Sequence, residues 1–404
     1  MREITYEELL FAYPHFLGWD YSGGRSMNVW IRVLTENLPI DLINEAISKG
    51  EKSCIWTCYD NIIYGNIDEN GRVKPVSLED LPKYISATFK PTYSKYAALA
   101  ENLGMKIAVA LGLPTSYNYI VKFDPTKYKE ITDHLNQRDL DKLQPYGIVS
   151  IDFLKPADIN NHSQAYSGDR LITFEETLHL SAYSPTRAYS DEPYLIKSWI
   201  NGLKEFITEK RQNSSLPKHE QEKQLKNIES RIVRSYLLRE FLGDCDFTGL
   251  NSGLVHNSEE KKLSFAPNFD YGECFNTLIK TKLDYLPPKK ELETILKWDP
   301  NYLKKKEMQR NTPIAELARK FSSSTSEQNL RFIMGNYKED TKEFLTSLQN
   351  AMDEEKLLNI IDGYTVGEDA LLTKDEGEDF KYYLLERAAF FTNFLQHQLP
   401  KEKF

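Results

Sequence analysis

The texture of this 404-residue chain changes once along its length, and that change constrains the fold more than any single motif. Before about residue 153, short β-branched and aromatic runs alternate with turns. After about residue 175, apolar residues recur at helical spacing. Residues 29–34, 84–89, 117–123 and 147–153 read as strands, and the β-like runs 54–59 and 62–67 lead into a turn at 68–71, whose Asn70-Gly71 tolerates positive φ and is a hairpin signal. Between them, 97–111 places Leu99, Leu103, Ile107 and Ala110 on one helix face, stopping at Gly112 with Pro114 beyond. The later part predicts helices over 194–210, over 220–242 and from about 288 onward, with loops at 322–325 and 363–373. A small mixed sheet with one helix, followed by a mainly helical region, makes the chain α+β.

The helical part is interrupted over 241–275, which is rich in Gly, Asp and Asn. It contains Asp246-Phe-Thr-Gly-Leu-Asn251 and then Phe265-Ala-Pro-Asn-Phe-Asp270-Tyr-Gly272. Phosphoryl transfer from ATP needs an acceptor for the attacking hydroxyl's proton and oxygen ligands that hold magnesium against the phosphates. Asp246 and Asn251, five residues apart in a loop after a long helix, can supply a proton acceptor and a side-chain carbonyl ligand. Asp270, where an apolar run ends and the backbone turns at Tyr271-Gly272, can supply a second magnesium ligand. Taken singly, each is also what a helix cap or a turn requires. Their order and their apolar flanks point to phosphotransfer.

These segments resemble the HipA-like bacterial protein kinases and their CtkA-like branch, whose catalytic region runs as a helix, an Asp-x4-Asn loop, a short apolar hairpin and Ala-Pro-x-x-Asp. The resemblance covers roughly residues 84–275 and is strongest from Asp246 to Gly272. It implies that Asp246 is catalytic and that Asn251 and Asp270 bind Mg2+. It also implies a two-lobed protein-kinase-like fold, with a small mixed α/β lobe over 1–150 and a larger mainly helical lobe over 151–404. ATP and Mg2+ would be the cofactors, and the partners a Ser/Thr protein substrate, the chain itself by autophosphorylation, and a regulatory or antitoxin-like protein. One departure is that Phe247-Thr248 stand where the family often has His or another basic residue.

In the small lobe, a lysine must neutralise the α- and β-phosphates and a helix glutamate must hold it. Lys90 and Glu101 are the candidates. The family writes Lys-Phe-Pro where this chain has Phe89-Lys90-Pro91, which puts Lys90 on the opposite strand face under regular pairing unless a bulge corrects it. A solvated strand-end lysine is the other reading. The segment 147–153 resembles the hinge strand, so Val149, Ile151 and Phe153 are expected beside the adenine edge. Ser22, Gly23 and Gly24, in Ser-Gly-Gly-Arg-Ser, are the candidate phosphate loop, and a plain turn reads equally well.

Composition removes other classes. A net charge of −9 opposes a phosphate backbone, so no nucleic acid is expected as a direct partner. The apolar stretches 106–114 and 388–395 are too short or too polar to cross a bilayer, and residues 1–8 lack an apolar signal core, so a cytoplasmic protein is expected, an exported effector being the other setting. Four cysteines are too few for a disulfide scaffold. The histidines lack zinc spacing, and there is no Gly-x-Ser-x-Gly or Gly-x4-Gly-Lys-Ser/Thr motif. A small-molecule or lipid-headgroup kinase and a pseudokinase binding module stay open beside the protein kinase.

Overall fold

In a computed structural model, the structure describes residues 1, 3, 29–34, 36, 55–56, 84–92, 94–127, 141, 143–151, 153, 170–174, 196–211, 217–244, 251–257, 262–272, 274–275 and 324–398. The chain is mixed α/β, with small sheets and seven helices among the described residues. Strands β1 (Val29–Leu34), β3 (Tyr84–Pro91), β5 (Asn118–Lys122) and β6 (Tyr146–Ile151) form an antiparallel sheet in the order β1-β3-β6-β5. In β3, Ala87 and Phe89 are buried while Thr88 and Lys90 are half-buried, the period of two that makes this run a strand. Helix α1 (Lys95–Ala110) follows β3, with the Ser94 hydroxyl accepting from the Tyr96 N–H at 3.2 Å as its N-cap.

The expected apolar face of α1 does pack on the sheet, but burial runs right around the helix and takes in Glu101 and Asn102 as well. Helices from the far end of the chain cover its other side. The short strand β2 (Ile55–Trp56) pairs in parallel with β4 (Thr115–Ser116); residues 59–71, which carry the expected hairpin turn, lie outside the described residues.

A second sheet joins β7 (Arg170–Thr173) to the hairpin β8 (Gly253–Asn257) and β9 (Lys262–Phe265). Strand β7 was not expected: it is four residues long and lies where the helical texture begins. Helices α2 (Ile196–Arg211) and α3 (Lys218–Leu242) pack on one another, and α3 ends at Gly243, whose φ of 64° is the left-handed geometry of a C-cap. Helices α4 (Ser324–Asn336), α5 (Lys338–Asp353), α6 (Lys356–Asp362) and α7 (Lys374–Gln398) complete the fold, with α6 against α1 and α7 against α3.

The two sheets meet at a polar seam. Asn268, just after β9, exchanges backbone hydrogen bonds with the 114–116 segment after α1: its N–H donates to the Pro114 carbonyl and its carbonyl accepts from the Ser116 N–H, both at 2.9 Å. The Thr115 hydroxyl bonds the Asn268 carbonyl at 3.0 Å and pairs with the Tyr271 hydroxyl at 2.9 Å. Asp270 is thereby carried to the end of β3.

Candidate functional site

Three side chains remote in sequence converge at this seam. Lys90 Nζ lies 3.1 Å from Asp270 Oδ1 and 3.8 Å from Glu101 Oε2. No bulge corrects the strand: Phe89, Lys90 and Pro91 pair in unbroken register with Val149, Ile148 and Gly147. Phe89 turns into the core, its ring 5.0 Å from that of Phe123, and Lys90 on the other face reaches both carboxylates. Regular pairing and the lysine position are therefore compatible, because the α1 glutamate and Asp270 stand on that same face.

Glu101 is held from two sides. Its Oε1 accepts the Tyr271 N–H at 3.0 Å, and its buried Oε2 has Lys90 as its nearest cation. Burial raises the Glu101 pKa, with Lys90 opposing that rise. Asp270 moves the other way: the Lys90 ammonium beside it holds its carboxyl below the ordinary carboxylate range, and Arg239 and the Gly272 N–H add to this. Its side chain keeps 38% of its surface open, against 6% for Glu101, so Asp270 is the ionised oxygen donor that faces outward.

Asp270 has a φ of 60°, a left-handed conformation that Asp tolerates better than most residues. Sequence reasoning missed the residue that fixes this turn. Arg239, in the last turn of α3, donates to the carbonyl of Asp270 at 2.8 Å and to that of Phe269, stacks 4.2 Å from the Tyr271 ring centre, and pairs with Asp244 at 2.6 Å. Both charges of that pair are 1% exposed. Burial opposes the charged form of Arg239, and Asp244 more than restores it, so its pKa is raised. Its helix neighbours Tyr236, Leu237, Leu238, Phe241 and Leu242 are apolar, and an arginine buried among such residues must be paired.

The other candidates are placed as follows. Asn251 is half-buried two residues before β8, and the β8–β9 register carries it to the same end of the hairpin as Asp270. Asp246 lies outside the described residues, as do Ser22, Gly23 and Gly24. Val149 lies inside the sheet between Phe89 and Tyr119, and the Ile151 N–H and carbonyl are taken by the Tyr117 carbonyl at 2.8 Å and the Ser116 hydroxyl at 2.9 Å. Of the three hinge candidates, Phe153 stands beyond the strand, its ring 5.3 Å from Phe269 next to Asp270.

Among the described residues no three His, Cys, Asp or Glu side chains cluster as a metal site, and no helix is long and apolar enough to cross a membrane. A divalent cation at Asp270 would also take ligands from waters and phosphate oxygens, which is how Mg2+ is usually held beside a nucleotide. An ionised, partly open carboxylate suits such a hard cation.

No family model and no curated protein matches the sequence. Solved structures do. A Helicobacter pylori proinflammatory kinase, CtkA, matches with a TM-score of 0.43 and 14% identity over 78% of this chain and 91% of that one. HipA of Shewanella oneidensis, solved with HipB and operator DNA, matches with a TM-score of 0.39 and 10% identity over 78% of this chain, which spans 61% of that chain's length. The chain is similar to these two solved structures, and its segments around Asp246 and Asp270 resemble the HipA-like kinases in sequence.

Proposed function

We propose that the protein is an ATP- and Mg2+-dependent protein kinase that phosphorylates Ser or Thr and also itself, built as two lobes divided near residue 150. The observation that carries this reading is the Lys90–Glu101–Asp270 cluster: a strand lysine, a glutamate from the helix that follows, and an aspartate before a glycine, all within ion-pair distance. Turns and caps do not require that convergence. Phosphotransfer does, because charge on the phosphates must be met by a fixed cation and by a metal-binding carboxylate.

Lys90, freed from Asp270 when a nucleotide enters, meets the α- and β-phosphate oxygens, and Glu101 keeps its ammonium in place. Asp270 and Asn251 would hold Mg2+, whose charge would offset the charge that develops on the phosphates. Asp246 orients the acceptor hydroxyl and takes its proton. The adenine edge would meet the chain beside Phe153, since Val149 and Ile151 are themselves paired within the sheet.

The test is transfer from radiolabelled ATP in the presence of Mg2+, to the chain itself and to general protein acceptors. Asp246→Ala and Asp270→Asn should abolish transfer, and Lys90→Met should lower it about 100-fold, the usual loss of one charge-stabilising group. Equal labelling by wild type and all three variants would remove the enzyme reading and leave a binding module. Transfer to small-molecule hydroxyls alone would move the substrate class.

A further inference from the structure

Three residues of α1 lie along one stripe. Lys95, Asn102 and Lys106, spaced i, i+7 and i+11, fall within about 40° of each other around the helix, and Glu101 lies about 120° away. Asn102 and Lys106 meet the segment that joins α6 to α7, and Lys95 meets the first turn of α7 itself. Glu376 Oε1 accepts from Lys95 Nζ at 2.9 Å and from the Tyr96 hydroxyl at 2.6 Å, the Tyr364 hydroxyl donates to Asn102 Oδ1 at 2.6 Å, and Lys106 sits 4.4 Å over the Tyr364 ring.

Glu376 is itself fixed. With Thr373 it forms a reciprocal cap at the start of α7: its Oε2 accepts the Thr373 N–H at 2.7 Å, and its own N–H donates to the Thr373 hydroxyl at 3.2 Å. One carboxylate thus closes the N-terminus of α7 and grips the first turn of α1. Farther along α7, Arg387 bonds the Phe241 carbonyl at 3.3 Å and the Glu240 carbonyl, and the Tyr383 hydroxyl bonds the Leu242 carbonyl at 3.4 Å. Those carbonyls end α3, just before Asp244 and Asp246. Eleven residues separate Glu376 from Arg387, about 16 Å of helix, so one rigid element touches both the Glu101 helix and the turn leading to the proposed catalytic aspartate.

We infer that Glu376 is a positioning residue: by fastening the first turn of α1 to α7, it sets the depth at which Glu101 meets Lys90. The C-terminal helices then act as a brace that registers Glu101 against the catalytic loop. This inference rests on the kinase reading for its effect on turnover, but its structural claim, that Glu376 orders α1, is independent of that reading.

The experiment uses the full chain and two readouts: hydrogen exchange of the α1 amides without nucleotide, and ADP release from ATP with Mg2+. Glu376→Gln removes the charge, whereas Tyr96→Phe removes one α1 contact and leaves the α7 cap intact, so it serves if the first variant folds poorly. Each should speed exchange across 98–106 and lower kcat about 5-fold or more, and Tyr96→Phe should lower it no further in a Glu101→Gln background, because both changes act through one contact. Unchanged α1 exchange in Tyr96→Phe overturns the inference whatever the activity. So do independent, multiplying effects of Tyr96→Phe and Glu101→Gln. If Lys90→Met turns over ATP like wild type, the kinase reading fails instead, and exchange alone decides the role of Glu376.

Discussion

The two sides of the candidate site hold their charges in opposite ways. On the β3–α1 side, Lys90 is partly open to solvent and meets carboxylates through its flexible ammonium. On the α3–β9 side, Arg239 is sealed from water and spends its donors on Asp244 and on two backbone carbonyls. The first arrangement leaves a charge that a ligand can recruit. The second leaves none and fixes the backbone on which Asp270 rides. A lysine suits the former role, being a mobile point charge, and an arginine the latter, being a planar fork with several donors. Charge supply and geometry are thus divided between the two sides, and substitutions should separate them.

The largest effect is expected from Arg239→Met. It strands Asp244 in the interior and frees the Asp270 turn, and breaking a buried pair on one side typically costs about 3–5 kcal/mol. A drop of that size in denaturant unfolding checks it. Lys90→Met should cost at most about 1 kcal/mol, because the pair with Asp270 is partly solvated. If Lys90→Met destabilised as much as Arg239→Met, the division between charge and geometry would collapse.

Between the two sides lies Gly104, where α1 presses on Tyr271. A Cβ there would come 2.7 Å from the Tyr271 Cβ, so Gly104→Ala must push α1 away from the ring. Overpacking of this kind costs about 1–3 kcal/mol, less than Arg239→Met, and it should carry a loss of phosphotransfer, because Glu101 and the Tyr271 N–H that binds it shift together. Thermal unfolding together with ADP release measures both.

How far the sequence showed this arrangement follows from what periodicity can encode. The spacing of Leu99, Leu103 and Ile107 gave α1, and alternation gave β3, because both are local. The convergence of the Lys90–Glu101 pair on Asp270 is not local: the register of β3 on β6 and the bridge at Asn268 bring them together. The order Phe89-Lys90-Pro91 carries no information about which face α1 and Asp270 occupy. Arg239 was read as part of an ordinary helix because its partners, Asp244 and two carbonyls, lie beyond the helix end. Glu376 was invisible for the same reason, as its contacts on α1 are 280 residues away.

The smallest effect is a pH dependence that sets Glu376 apart from its neighbours. Burial pushes its carboxyl up, but the Tyr96 hydroxyl, the Thr373 N–H and Lys95 outweigh this and carry the pKa down to about 2 from an ordinary 4.5. A carboxylate with a depressed value favours the folded state above its ordinary pKa, and that contribution fades as pH falls towards the folded value. Solvent on the open side of the cluster limits the contribution to about 1 kcal/mol. The melting temperature of wild type should therefore exceed that of Glu376→Gln by a constant margin above about pH 5, with the two converging between pH 4.5 and 2. A margin that persisted unchanged to pH 2 would mean that the glutamine variant loses packing or capping rather than the charge, and α1 would then be held by Tyr364 and Lys106 without help from Glu376.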